Sequence, residues 1–225
     1  MNKNLTLAIV VVAASLTACG SKTDANEKNF GAAMTQYFNK KGDLCLNTTR
    51  GPVDLSEMVL NLQKTMQTGT VNQMAALEAA GLVKGEDTEV DIMGLMGDKS
   101  NGPNAKIRRY TLTDAAQPFT QENEVSAFGL NGRTTVKETD LCWGKMALDK
   151  IVKWEEVMKF GKFGVYQEAV ITYTYKIDGT ADWAKTPEVQ AAFSFVKSTL
   201  DGAGSHNNKH ILKLTTQGWE AKGLD

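Results

Sequence analysis

Apolar residues recur at spacings of three and four through Phe30, Ala33, Met34, Tyr37 and Phe38, the repeat of one helix face, and the stretch closes near Gly42. The helix predicted there buries an aromatic side. Leu55, Met58, Val59, Leu62 and Met66 make a second stripe of the same period. Asp54 and Glu57 start it in the manner of a capping box, with Val53 placed to staple onto Met58. Thr70 and Gln73 open a third, short helix through Ala80, which Gly81 can end in the left-handed conformation. The period changes to two at Ala169, Ile171, Tyr173, Tyr175 and Ile177, the alternation of a half-buried strand. Residues 146–156 read the same way, so 146–156 and 165–177 are expected to form a long antiparallel hairpin. Thr186-Pro187-Glu188, an N-cap followed by proline at the first helical position, opens a last helix whose stripe is Val189, Phe193, Val196 and Leu200 and whose end is Gly202. After a loop at 204–208, the strand at 211–215 leads to Gly218 and Trp219.

The middle of the chain adds strands near Val90 and Ile92 and at 107–113, around a Gly/Pro/Asn loop at 97–104. A helix, a hairpin and then Tyr110-Thr111-Leu112-Thr113 resemble the wing of winged-helix regulators. That resemblance implies a hairpin beside a reading helix, with Lys106, Arg108 and Arg109 as the basic residues that would meet phosphates. The order cysteine strand, helix, loop, Leu-Thr strand occurs twice, which a duplication would explain and which the ordinary punctuation of a mixed chain explains as well. The expected fold is α+β: an antiparallel sheet with packed helices in one globule over 29–225, with halves at about 29–135 and 136–225, each holding a winged-helix-like helix and hairpin.

Composition narrows the function. The chain has 25 Lys and Arg against 26 Asp and Glu, a formal net charge of −1, so no nucleic-acid partner is expected. An apolar fraction of 42% and four tryptophans describe a packed globule. At the amino end, Lys3 precedes an apolar run from Leu5 to Leu16 that is too short to cross about 30 Å of hydrocarbon. Leu16-Thr17-Ala18-Cys19 resembles the lipobox of bacterial lipoprotein precursors. The resemblance implies a signal peptide over 1–18, cleavage before Cys19, a diacylglyceryl group on the Cys19 thiol and acylation of the new amine. Membrane attachment through lipid follows, and Gly20, where an Asp is absent, implies the outer membrane, facing the periplasm. Residues 19–28 are polar and small and read as a flexible tether.

With Cys19 assigned to lipid, Cys45 and Cys142 remain in an oxidising compartment, and their matching contexts, Asp43-Leu44-Cys45-Leu46 and Asp140-Leu141-Cys142-Trp143, suggest one structural disulfide. Two buried free thiols are the alternative. Catalytic motifs are missing from the sequence: there is no nucleophile elbow, phosphate loop or dinucleotide fingerprint. His206 and His210 have the spacing of a helical metal pair but sit among Gly and Asn, so no metal or cofactor is expected. Met58, Met66 and Met74 read as core filling. The segment singled out for recognition is the turn around Phe160, Lys162 and Phe163, with Tyr166 beyond it, aromatic anchors beside a cation. These rings suit a protein partner or the bilayer surface. The expectation is a lipid-anchored envelope protein, non-enzymatic, binding a protein or envelope component as an immunity-type or accessory lipoprotein. The alternative is an envelope hydrolase using acidic residues such as Asp43 and Asp140 in a cleft between the halves. Metabolic labelling with a fatty-acid probe is expected to mark the wild type and not Cys19→Ser; equal labelling of both would remove the lipid anchor.

Overall fold

The computed structural model describes residues 21–47, 52–63, 69–91, 104–129, 132–161 and 164–224, so the signal segment, Cys19, Met66, Ile92, Lys162 and Phe163 lie outside the described residues. Asn26 opens the first helix, α1 (Glu27–Lys41): its side chain accepts the backbone N–H of Asn29 at 2.9 Å, with Glu27 in the first turn and Lys40 and Lys41 in the last. Phe30, Ala33, Met34 and Phe38 are buried, as their spacing requires. Gly42 turns the chain directly into β1 (Asp43–Cys45). Its N–H reaches the Phe38 carbonyl at 2.8 Å, its own carbonyl accepts from Met146 at 2.7 Å, and a Cβ there would stand 2.4 and 2.5 Å from the Phe38 and Met146 oxygens. Only glycine allows so close an approach.

Next come β2 (Val53–Ser56), α2 (Glu57–Gln63), α3 (Thr70–Ala79), β3 (Val83–Asp91) and β4 (Asn104–Leu112). They build an antiparallel sheet of order β2-β4-β3. A 3-10 turn (Asp114–Phe119) leads to β5 (Thr120–Gly129), β6 (Gly132–Gly161) and β7 (Gly164–Asp178). After a second 3-10 turn (Asp182–Lys185) follow α4 (Pro187–Ala192), α5 (Ser194–Gly202), β8 (Asn208–Thr215) and β9 (Gly218–Ala221). These strands form an antiparallel sheet of order β1-β6-β7-β8-β9, with β5 also on β6. The fold is therefore α+β with antiparallel sheets.

Among the described residues two buried clusters form. In one, Leu55, Met74, Leu77, Val83 and Tyr110 meet Leu141 and Trp143 of β6 and Trp183, Val189, Phe193 and Val196. In the other, the buried face of α1 lies on Ile151, Ala169, Ile171, Tyr173, Tyr175, Leu212 and Trp219. Ile177 packs against both. The strand β6 runs across the expected boundary near residue 135, and its two ends serve different clusters. The two Leu-Thr strands also differ in setting, since β4 lies within the smaller sheet whereas β8 joins β7 in the larger one.

Several local expectations change. Asp54 does not cap a helix; it sits in β2 and binds Arg109, while the Ser56 hydroxyl accepts the Val59 N–H at 3.3 Å. The helix therefore starts later and turns a different face inward: Val59 and Leu60 pack on the core, Met58 and Leu62 are exposed, and Leu55 is buried from the strand. Met74 alone of the core methionines proposed from the sequence is a described, buried one. Gly81 does end α3 with φ 76°, and the Leu82 N–H returns to the Leu77 carbonyl at 2.9 Å. The expected helix at 187–202 breaks at Phe193, which leaves helical dihedrals (φ −123°, ψ 79°) and keeps its ring buried. Gly202 has a second reason to be glycine: a Cβ there would be 2.6 Å from Tyr175 Oη.

The tether is also shorter than expected, because residues 21–28 are fastened to the globule. The Trp219 indole N–H donates to the carbonyls of Thr23 (3.1 Å) and Asp24 (3.2 Å), and the Asn29 amide donates to Ser21 and Asp24, each at 2.8 Å. Phe30 packs edge-on against Trp219 at 4.9 Å and Trp154 at 5.4 Å, which makes it the pivot of this corner. Phe30→Ala is expected to lower unfolding free energy by about 3–5 kcal/mol. Urea denaturation should show it as a lower midpoint, with Lys28→Ala within about 0.5 kcal/mol of wild type as the surface control.

Candidate functional site

β1 reaches β6 where Cys45 and Cys142 are direct partners, and the two form a disulfide that joins positions 97 residues apart. The bridge lies at the wall of a cavity of about 460 Å³ whose lining includes Lys40, Lys41, Asp43, Gln121, Asp140 and Phe195. Asp43 and Asp140, the candidate acids, are thus brought to one cleft. Both are engaged there. Asp140 is buried and accepts the Asn47 N–H through both oxygens (3.0 and 2.9 Å) and the Leu141 N–H at 2.9 Å. Asn47 takes the left-handed conformation at φ 59°, which asparagine tolerates, to present that N–H. Asp43 accepts from the Gln121 amide at 3.1 Å and faces Lys145 Nζ at 3.6 Å. The Gln121 carbonyl oxygen lies 3.2 Å from the Cys142 sulfur and 3.6 Å from that of Cys45, and since disulfide sulfurs carry no proton these are contacts, not hydrogen bonds. A buried carboxylate that holds two backbone N–H groups, one of them shared between its oxygens, acts as a structural anchor at the wall of the cleft.

Two of the three basic residues proposed to meet phosphates, Arg108 and Arg109 of β4, are paired with acids. Arg109 grips Asp54 with two bonds of 2.7 Å, and this hydrogen bonding holds the Asp54 carboxyl below its usual range. Arg108 binds Tyr110 Oη at 3.2 Å, Asp87 at 3.2 Å and Glu78 at 3.3 Å. Both guanidiniums are thus held by carboxylates of the same unit. The histidines part company: His206 is exposed in the turn after α5, while His210 lies on β8 with its ring 4.5 Å from Tyr37 and Nε2 3.0 Å from the Lys222 carbonyl. Among the described residues no three His, Cys, Asp or Glu side chains converge as a metal site would require, and no helix is long and apolar enough to cross a membrane.

Of the candidate recognition segment, the backbones of Phe160 and Tyr166 lie in the last pairs of the β6–β7 hairpin, with Lys162 and Phe163 outside the described residues. The last four pairs of the hairpin, Met158 with Gln167 through Gly161 with Gly164, lie past the final β7–β8 pair, Glu168 with Lys213. Of the singled-out residues, Tyr166 is half-buried, with Lys213 Nζ 5.6 Å from its ring centre. The structure adds two residues that periodicity missed, Trp154 and Met158, which are exposed on the α1 side of this hairpin. Register shifts between Leu148 and Lys150 and between Ile151 and Lys153 interrupt the alternation, so the inward positions run Met146, Leu148, Ile151 and Trp154 instead of by twos throughout.

Comparison with protein-family models, curated proteins and solved structures gives no significant match. The site therefore stands on its own geometry. Replacing both bridged cysteines by alanine is expected to cost about 2–5 kcal/mol, through a denatured state freed of a long loop. Equal denaturation midpoints for the oxidised wild type and the double variant would show that the bridge contributes nothing to stability.

Proposed function

We propose that this chain is a lipid-anchored protein of the bacterial cell envelope, held at the outer membrane through Cys19, that binds a protein or envelope component without catalysis. The observation that carries the binding part is the β6–β7 hairpin, which continues for four residue pairs past the last β7–β8 pair, with Met158 exposed in the first of them. A two-stranded extension has little apolar floor of its own, so an exposed apolar side chain such as Met158 gains burial from whatever the hairpin meets. The hydrolase alternative is weakened by the engagement of Asp43 and Asp140. The unit from β2 to β4, with its two helices and the sheet order β2-β4-β3, resembles a winged-helix scaffold. With Arg108 and Arg109 tied to acids, it serves as a packing unit against β6 and α4, and a duplicated second half is the less economical reading. An immunity-type or accessory lipoprotein fits this combination of anchor, rigid body and projecting hairpin.

Crosslinking and co-purification from the native envelope, comparing wild type with Phe160→Ala/Phe163→Ala, tests the reading. A specific component lost in the variant is the expected result. Turnover of cell-wall fragments that disappears in Asp43→Ala or Asp140→Ala, while the fold is kept, would overturn it in favour of hydrolysis.

A further inference from the structure

The described fold begins at Ser21, two residues after Cys19, and two residues span at most about 7 Å of extended chain. Acyl chains on Cys19 would therefore enter the bilayer next to Ser21. Where Ser21 lies is fixed by its neighbours: its carbonyl accepts from Asn29, Thr23 and Asp24 accept from Trp219, and a Cβ on Gly218 would stand 3.0 Å from the Lys22 carbonyl oxygen. Gly218 pairs with Thr215 and Trp219 with Leu214, at the end of β8 that follows the Lys213–Glu168 pair. Along β7 that direction leads from Glu168 towards Gly164, which is the end of the β6–β7 hairpin. Two positions beyond Ala169 and Leu212, Gln167 and Leu214 stand level, and Gln167 is the partner of Met158. The attachment point and the hairpin end therefore occupy one end of the sheet.

That end carries exposed apolar surface. Met158 is 57% exposed and Trp154 38% exposed, and Phe30 bridges Trp154 to Trp219 and so to the anchor-side backbone. We infer that the hairpin surface around Met158, with Trp154 at its inner margin, rests on the lipid headgroup region of the membrane that holds the anchor. This rests on the lipid-anchor reading and names the envelope component that the hairpin meets as the bilayer. Tryptophan and flexible apolar side chains are favoured at that depth, where one side of the group is wet and the other apolar. A short fastening gives the contact a high effective concentration, so a small apolar area is enough to hold it.

The four tryptophans make the test direct, because Trp143, Trp183 and Trp219 are each no more than 7% exposed. Full-length lipidated protein carrying Met158→Trp and Trp154→Phe is placed on phosphatidylethanolamine/phosphatidylglycerol vesicles, with and without brominated acyl chains. Position 158 then supplies the one exposed indole. Loss of its emission in brominated vesicles, with protection from aqueous iodide, is the expected result; Trp154→Phe alone should show no such loss. A chain that floats with vesicles and carries acyl mass, yet keeps its emission and remains open to iodide, overturns the docking and leaves the anchor standing. A chain with no acyl mass that does not float removes the anchor reading and the docking with it. Protection in native envelope membranes but not in pure lipid vesicles identifies a protein as the occupant and overturns the lipid assignment.

Discussion

Backbone pairing along β6 holds the molecule together. This strand lies between β1 and β7 and its first stretch also pairs with β5, and its side chains enter one hydrophobic cluster through Leu141 and Trp143 and the other through Ile151. A shared strand couples the two clusters mechanically, because a ladder of backbone hydrogen bonds cannot slip by one residue without turning every side chain to the wrong face. The disulfide reinforces the same point. It ties β1 to β6 where the smaller sheet and its helices give way to the larger sheet. The register shifts near Asp149 and Val152 bend the strand where its long edge is unpaired among the described residues, and Lys150 and Lys153 there discourage pairing with a stranger.

Local features were legible in the sequence wherever one stretch of chain decides the outcome. The spacing of Phe30, Met34 and Phe38 needs only a helix to become a face, Gly81 needs only a backbone that permits positive φ, and the alternation of Ala169 to Ile177 survives because β7 has no bulge. The misreadings share a different cause. Asp54 has the right type and position for a helix cap, but its carboxylate is taken by an arginine 55 residues away, and no local pattern announces that competition. Residues 21–28 have a linker's composition, yet Trp219 and Asn29 hold them by their carbonyls, and a carbonyl carries no sequence signature. At the candidate site the two paired strands were readable, up to the Gly161–Gly164 pair. Met158 and Trp154 were not, because their exposure depends on where β8 stops and where α1 begins.

Charge is used here mainly to hold parts in place. Asp140 receives backbone N–H groups at the reversal after β1, Arg109 and Asp54 brace β4 on β2, and Lys222 neutralises the buried Glu168 at 2.5 Å, which raises the lysine's own affinity for its proton. Each of these groups would look functional in a list of acids and bases. In the folded chain each has its partner, and an ionised group with its bonds satisfied at rest has little to offer a substrate.

The contact between Trp219 and the carbonyls of Thr23 and Asp24 spans nearly the whole described chain, 196 and 195 residues. The first helix to be made can bury Phe30, Met34 and Phe38 only when β7, β8 and β9 exist to receive it. The aromatic face of α1 is made early and waits in water until β9, with Trp219, has been added. Contacts of such separation also form slowly. The cost of this architecture therefore falls early in folding, while the aromatic face of α1 stands exposed before the strands that cover it have formed.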